Sequence, residues 1–305
     1  MSLLAMVCCS TATAYTESPP PVRSSAESVA TDWLQGGWWI MPLGLVAALL
    51  FWSSRGARLG RLPRFPWTFS PGTGYTFVLL TLIAGAVAAQ IVLAVAGTDP
   101  ESPEQSVRAL TILQLVSLSA MGAVLLAMPG WWRRPPGQED TRPSFLVSAG
   151  VGFVTLVIFF PMVQSILLGG TLVRVWSTGP PPPDFAHRTL VLLDGAGDDG
   201  WRWGLMALIV FAVPVVEETI YRGLLQESLR RHRTLTNGSA WMSIVITSVL
   251  FALMHGGVAT TEGLVSLFVL SLGLGWVHAR TGRLIAPVIM HAGYNAVNLL
   301  LASLS

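Results

Sequence analysis

The chain has 305 residues, of which 52% are hydrophobic and only 11% charged, well below the roughly 25% charge of soluble domains. Its 18 basic residues are all arginine, and 16 acidic residues leave a formal net charge of +2, which excludes the concentrated basic surface of a nucleic-acid-binding protein. The two cysteines, Cys8 and Cys9, are adjacent, so neither a disulfide framework nor a spaced thiolate metal site can be built from them.

Met1 to Ala14 has an apolar run and an Ala-Thr-Ala triplet but lacks the basic start of a signal peptide. With residues 15–35 rich in Ser, Pro and Glu, residues 1–35 are expected to form a disordered lead-in. Membrane helices need about 20 mostly apolar residues, because unsatisfied backbone groups are costly in hydrocarbon. Candidate spans are Gly36 to Trp52, Gly74 to Gly97, Ala109 to Pro129, Ser144 to Leu168, Trp203 to Leu225, Ala240 to His255, Leu264 to Ala279 and Leu284 to Ser303. This pattern predicts an all-α, polytopic transmembrane helical bundle of about eight spans, its sixth and seventh short enough to be tilted or broken. Four spans fill residues 36–168, a Pro/Gly-rich loop with Pro180 to Pro183 covers 169–202, and four more fill 203–303. The first four carry no charged residue, so the chemistry is expected in the second group.

Arginine-rich short loops stay on the cytoplasmic side. Arg55, Arg58, Arg61 and Arg64 lie in the first loop, Arg133, Arg134 and Arg142 in the third, Arg230, Arg231 and Arg233 in the fifth, and Arg280 and Arg283 in the seventh. Odd-numbered loops are therefore expected in the cytoplasm and both termini outside. An Arg-only basic set on a compact chain points towards a bacterial inner membrane.

In the fifth span, Glu217 and Glu218 stand next to each other within apolar sequence, at a cost of about 2.5 to 3.5 kcal/mol each for insertion. Arg222 lies four residues after Glu218, on the same face and in the favourable acid-before-base order. Glu217 falls about 100° away and is left for another task. An ion pair alone would serve structure as well as function. The sixth span, however, ends Phe251-Ala252-Leu253-Met254-His255, and the eighth contains His291-Ala292-Gly293-Tyr294-Asn295, with His291 and Asn295 on one face. Polar groups inside a bilayer normally converge on one interior cavity. There a desolvated carboxylate becomes a competent proton acceptor near neutral pH, and His and Asn can hydrogen-bond a water or a developing oxyanion. Glu217, His255 and His291 also suit Zn²⁺, which activates its bound water. The residues leave both chemistries open.

No His-Glu-x-x-His or Gly-x-Ser-x-Gly string occurs, and Gly195-Ala196-Gly197-Asp198 reads as a turn in a polar loop. His187 reads as solvated, and His232, Trp276 and His278 as interfacial.

The ordered set Glu217-Glu218-x-x-x-Arg222, Phe251-x-x-x-His255 and His291-x-x-x-Asn295 resembles the CPBP family of intramembrane proteases, which includes the type II CAAX prenyl proteases and bacterial immunity-type relatives. The stretch Arg280-Thr281-Gly282-Arg283-Leu284 is similar to the family's approach to its last motif, and Tyr221 stands where Phe is frequent. The resemblance covers about residues 203–300. It implies peptide-bond hydrolysis, with Glu217 activating water, His255 and His291 positioning or polarising, Asn295 assisting the oxyanion, and Glu218 with Arg222 supporting. Members are described both as metalloproteases, which would place Zn²⁺ on Glu217, His255 and His291, and as metal-free glutamate proteases. Partners would be the lipid bilayer and a protein or peptide substrate: a prenylated CAAX tail, a leader peptide or a membrane-protein segment. A proton-coupled transporter and a catalytically silent adaptor or immunity protein are the competing readings, the former lacking the inverted repeats expected of it.

One tension accompanies the single-site reading. At 1.5 Å per residue, His255 lies about 22 Å into its span and His291 only about 10 Å into its own. The sixth span must begin outside the bilayer or tilt.

Cysteine placed at Gly60, within the first arginine-rich loop, is expected to react with an impermeant thiol reagent only from the cytoplasmic side; labelling from outside would reverse the orientation.

Overall fold

The computed structural model describes residues 39–53, 59, 69–96, 103–128, 140, 142–178, 200–236 and 239–304. Among them the regular structure is helical, with no strand. The helices are α1 (Ile40–Ser53), α2 (Pro71–Ala96), α3 (Pro103–Ala127), α4 (Phe145–Thr178), α5 (Gly200–Arg231), α6 (Ala240–Leu253), α7 (Thr261–Thr281) and α8 (Ile285–Leu304), with a short turn at Arg233–Thr236 between α5 and α6. Helices α2, α3, α4, α5 and α7 are long and apolar enough to cross a membrane, whereas α1, α6 and α8 are shorter apolar helices. The polytopic helical bundle expected from hydropathy is present. The lead-in over residues 1–35, Arg55 to Arg64, Arg133 and Arg134, the Pro180 to Pro183 run, His187 and the Gly195 to Asp198 turn lie outside the described residues.

Two lengths differ from expectation. Helix α7 is a full 21 residues rather than short, since its polar positions are buried against neighbours that hydropathy does not see. Helix α4 runs past Leu168 to Thr178, because Arg174 in its last turns is held by Glu262 of α7 at 3.0 Å. The sixth helix is short as expected. Its 14 residues rise about 21 Å, and the chain continues through Met254 to Thr260 as non-helical backbone, tolerated at membrane depth only where protein or a cavity surrounds it.

Alternation of the helices brings like ends together. Tyr75, early in α2, stacks edge-on against His232 after α5, with ring centroids 6.0 Å apart. Asp140 binds both Arg142, at 2.7 Å, and Arg283, at 3.0 Å, and Arg283 Nε donates to the Pro143 carbonyl. This clasp joins the approach to α4 to the α7–α8 turn. At that turn Gly282 adopts φ 62°, a left-handed cap that glycine supplies without a Cβ penalty.

The helices pack through apolar clusters. Leu156, Phe159 and Val163 of α4 pack with Leu270, Leu274 and Val277 of α7 and with Ala286, Met290 and Tyr294 of α8. A second cluster joins Met121 and Leu125 of α3 and Met128 just after it to Ile220, Leu224 and Leu229 of α5 and Phe251 of α6. Close approach to α7 depends on its small residues. A Cβ on Gly273 would stand 2.6 Å from the Phe159 ring and 2.8 Å from Met290, and one on Gly275 2.8 Å from Gln226 and 2.9 Å from Ile244.

Gly273→Ala is therefore expected to lower the thermal midpoint of the purified protein, overpacking costing about 1 to 3 kcal/mol. Gly122→Ala, whose new Cβ would meet nothing within 4 Å, should leave it unchanged or raise it, as helix propensity alone is worth roughly 0.5 to 1 kcal/mol. Equal loss in both would refute the packing argument.

Candidate active site

Helix α5 is not a regular α-helix. Wider π stretches occupy Leu208–Ala212 and Thr219–Gln226, flanking the α-helical Val213–Glu218. The first has a cause in the sequence. Pro214 has no N–H to give, and its ring crowds the carbonyl four residues earlier. The Val213 N–H meanwhile reaches back to the Leu208 carbonyl. This register leaves the Ile209 carbonyl without its usual backbone donor, and Asn295 Nδ2 of α8 donates to it at 2.8 Å.

Beyond Pro214 nearly every side chain turns inward. Glu217 is 4% exposed, while Glu218 and Arg222 are fully buried. Arg222 Nε donates to Glu218 Oε2 at 2.9 Å, as the sequence spacing predicts. Its Nη2 donates to Ser271 Oγ of α7 at 2.9 Å, and its guanidinium lies 5.4 Å from the centre of the Phe251 ring of α6. The charge is thus met by an ion pair, a hydroxyl and an aromatic face, each drawn from a different helix.

His291 of α8, 5% exposed, lies between the two carboxylates. Its Nδ1 is 2.8 Å from Glu218 Oε1, and its Nε2 is 3.9 Å from Glu217 Oε2. Glu218 accepts from Arg222 and from His291, so His291 Nδ1 carries a proton, and in the neutral form of the ring Nε2 would present a lone pair. The roughly 100° between adjacent helical residues sends the two carboxylates to opposite nitrogens of one imidazole.

His255 sits just past the end of α6. Its ring folds back one turn, with Nδ1 2.7 Å from the Phe251 carbonyl and its centroid 4.7 Å from that of the Phe251 ring. A carbonyl accepts only, so this Nδ1 is also the protonated nitrogen. The His291 ring lies 6.0 Å from the same Phe251 ring, and Tyr221 stacks on it edge-on at 5.1 Å. Phe251 is the common floor.

Five of the six expected residues thus gather around one point: Glu217, Glu218, Arg222 and His291 by polar contacts, and His255 through Phe251. Asn295 stands one turn beyond His291, engaged with Ile209. Among the described residues no three His, Cys, Asp or Glu side chains, Glu217, His255 and His291 included, stand close enough together to hold a metal ion.

Sequence reasoning missed two features. Ser271 gave no signal, being one serine in an apolar helix. His278, expected at the interface, is fully buried, because α5 continues alongside it to Arg231, and its Nε2 faces Glu227 Oε1 at 3.5 Å. Glu227 in turn accepts from Arg230 at 2.6 and 3.0 Å.

Residues 199–297 match the protein family described as Type II CAAX prenyl endopeptidase Rce1-like. Over 96 residues the chain is 30% identical to an Escherichia coli protein described as "Uncharacterized 24.3 kDa protein", the alignment taking in 32% of this chain and 42% of that one. The chain thus spans less than half the length of the curated relative it matches. No solved structure matches the chain. The family match falls on the same segment as the resemblance to the CPBP proteases, and the similarity is to that segment.

Arg222→Leu would strand the Glu218 carboxylate in a low-dielectric interior. Breaking such a buried pair costs about 3 to 5 kcal/mol, so the fraction of monodisperse protein on size exclusion in detergent should fall sharply. Arg222→Lys, which keeps the charge and loses the fork to Ser271, is expected to fall between Leu and wild type.

Proposed function

We propose that this chain is an intramembrane endopeptidase in which Glu217 and His291 activate a water that hydrolyses a peptide bond of a membrane-associated or prenylated protein. The family match supports peptide-bond cleavage. One observation carries the residue assignment: Glu217 Oε2 and His291 Nε2 face each other across 3.9 Å, and with the ring neutral both are acceptors. Two acceptors at that separation are satisfied together by a molecule with two O–H donors, and water is the smallest. A water held there keeps its oxygen lone pairs free to attack.

In the forward step the water oxygen bonds to the carbonyl carbon, its proton passes to Glu217, and the carbonyl electron pair moves onto oxygen. An amide side chain has two N–H groups, so Asn295 retains one beyond the donor given to Ile209 and can offer it to that oxyanion. His255, when protonated, donates through Nε2. Collapse breaks the carbon–nitrogen bond, and the protonated Glu217 delivers its proton to the departing amine. Glu218 holds His291 in the tautomer that aims a lone pair at the water, and Arg222 keeps Glu218 charged.

The test is Glu217→Gln, which keeps shape and removes basicity. Cleavage of a farnesylated CAAX peptide by purified protein should fall by roughly 10²- to 10⁴-fold, the usual contribution of a general base, while thermal unfolding stays as in wild type. Undiminished cleavage by the variant would overturn the assignment and bring the adaptor or transporter reading forward.

A further inference from the structure

Helices α5 and α7 meet in a ladder of polar contacts that runs from the site to one end of the bundle. Arg222 Nη2 donates to Ser271 Oγ at 2.9 Å, Gln226 Nε2 donates to the Gly275 carbonyl at 3.0 Å, and Glu227 faces His278 at 3.5 Å. Beyond it lie Arg230 and Arg231. Helix α6 closes the third side. Its Ile244 lies against the Gly275 level and its Phe251 under Arg222, so helical spacing places Thr247 and Ser248, on the same face, between these two levels.

Along this seam buried polar atoms lack protein partners. Arg222 Nη1, Gln226 Oε1, Thr247 Oγ1 and Ser248 Oγ are all buried without a hydrogen bond. The hydroxyls are informative because this chain's buried threonines have an easy alternative. Thr81, Thr111, Thr155, Thr219 and Thr281 each bond the carbonyl four residues back on their own helix. Thr247 and Ser248 do not, and they stand where three helices converge. Buried polar groups are almost always satisfied by protein or by ordered water, and a water needs two to four polar partners.

We propose that the seam between α5, α6 and α7 binds a file of water molecules connecting the arginine-rich end of the bundle to the Glu217–His291 pair. Hydrolysis consumes one water per turnover, and the neighbouring outward positions Val215, Val249, Leu250 and Leu253 are apolar and exposed, a lipid-facing wall that offers water no polar partner. The seam supplies donors and acceptors at successive levels. Its role as a supply route rests on the hydrolytic reading, but its hydration does not.

X-ray hydroxyl-radical footprinting of the full-length protein in detergent tests this directly, since radicals formed from internal water oxidise adjacent thiols. Thr247→Cys and Ser248→Cys are near-isosteric and are compared with Val249→Cys on the lipid-facing side. Oxidation of either seam thiol at least tenfold faster than the Val249→Cys thiol is expected. Rates equal to that control would show a dry seam and overturn the proposal. A wet seam together with an active Glu217→Gln variant would refute the catalytic assignment alone. In the assay with the CAAX peptide, Thr247→Val with Ser248→Ala should lower kcat while leaving KM unchanged; an unchanged kcat would overturn the supply role.

Discussion

A glutamate and an arginine shut away from solvent cannot be left half satisfied. Removing each ion from water costs several kcal/mol, and the mutual attraction repays that only when the remaining hydrogen-bonding capacity is also met. The Glu218–Arg222 pair meets most of this condition by recruitment, with Ser271 from α7, His291 from α8 and the Phe251 face from α6, and leaves Arg222 Nη1 to the seam. The assembly of the last four helices and the solvation of one ion pair are thus the same event. Whatever chemistry Glu217 performs depends on it, because Glu218 also fixes which nitrogen of His291 is left bare.

The π stretches of α5 matter for the same reason. A regular α-helix turns about 100° per residue, so a long run of consecutive positions cannot all face inward unless the helix is surrounded. From Thr219 to Leu229 every residue is buried, and the second π stretch, Thr219–Gln226, falls within this run. Single-turn π-bulges often mark functional sites. Here the first is traceable to a missing donor at Pro214, and its cost is relieved by Asn295, which ties the geometry of the glutamate helix to the helix that bears His291.

Much of this was legible in the sequence, and the reasons for the rest are physical. Glu218 and Arg222 were paired correctly because an i,i+4 contact is local and survives most environments. That Glu217, Glu218 and His291 would gather followed from the cost of isolated polar groups in hydrocarbon. Asn295 was expected at a water or an oxyanion; its bond to Ile209 depends on a register change that hydropathy cannot see. His278 looked interfacial because helix ends usually are, yet the continuation of α5 covers it. The end of α4 was placed too early, at Leu168; the helix runs on to Thr178, where Arg174 meets Glu262 of α7.

The recognisable motifs all lie downstream of Gly200, but the wall behind them does not. Helix α4 sends Phe159 against Gly273, packs Gly152 directly on the backbone of Ala286, and gives the amide of Gln164 to Asn298 at 3.0 Å. One side of the α8 helix that carries His291 is therefore moulded by residues that bear no signature of the reaction. The unit that inherits function is larger than the unit that announces it. A graft of the motif-bearing half onto other membrane helices would carry the reactive groups without the mould that sets their depth, and would need a surrogate for α4 with the same pattern of small, aromatic and amide positions.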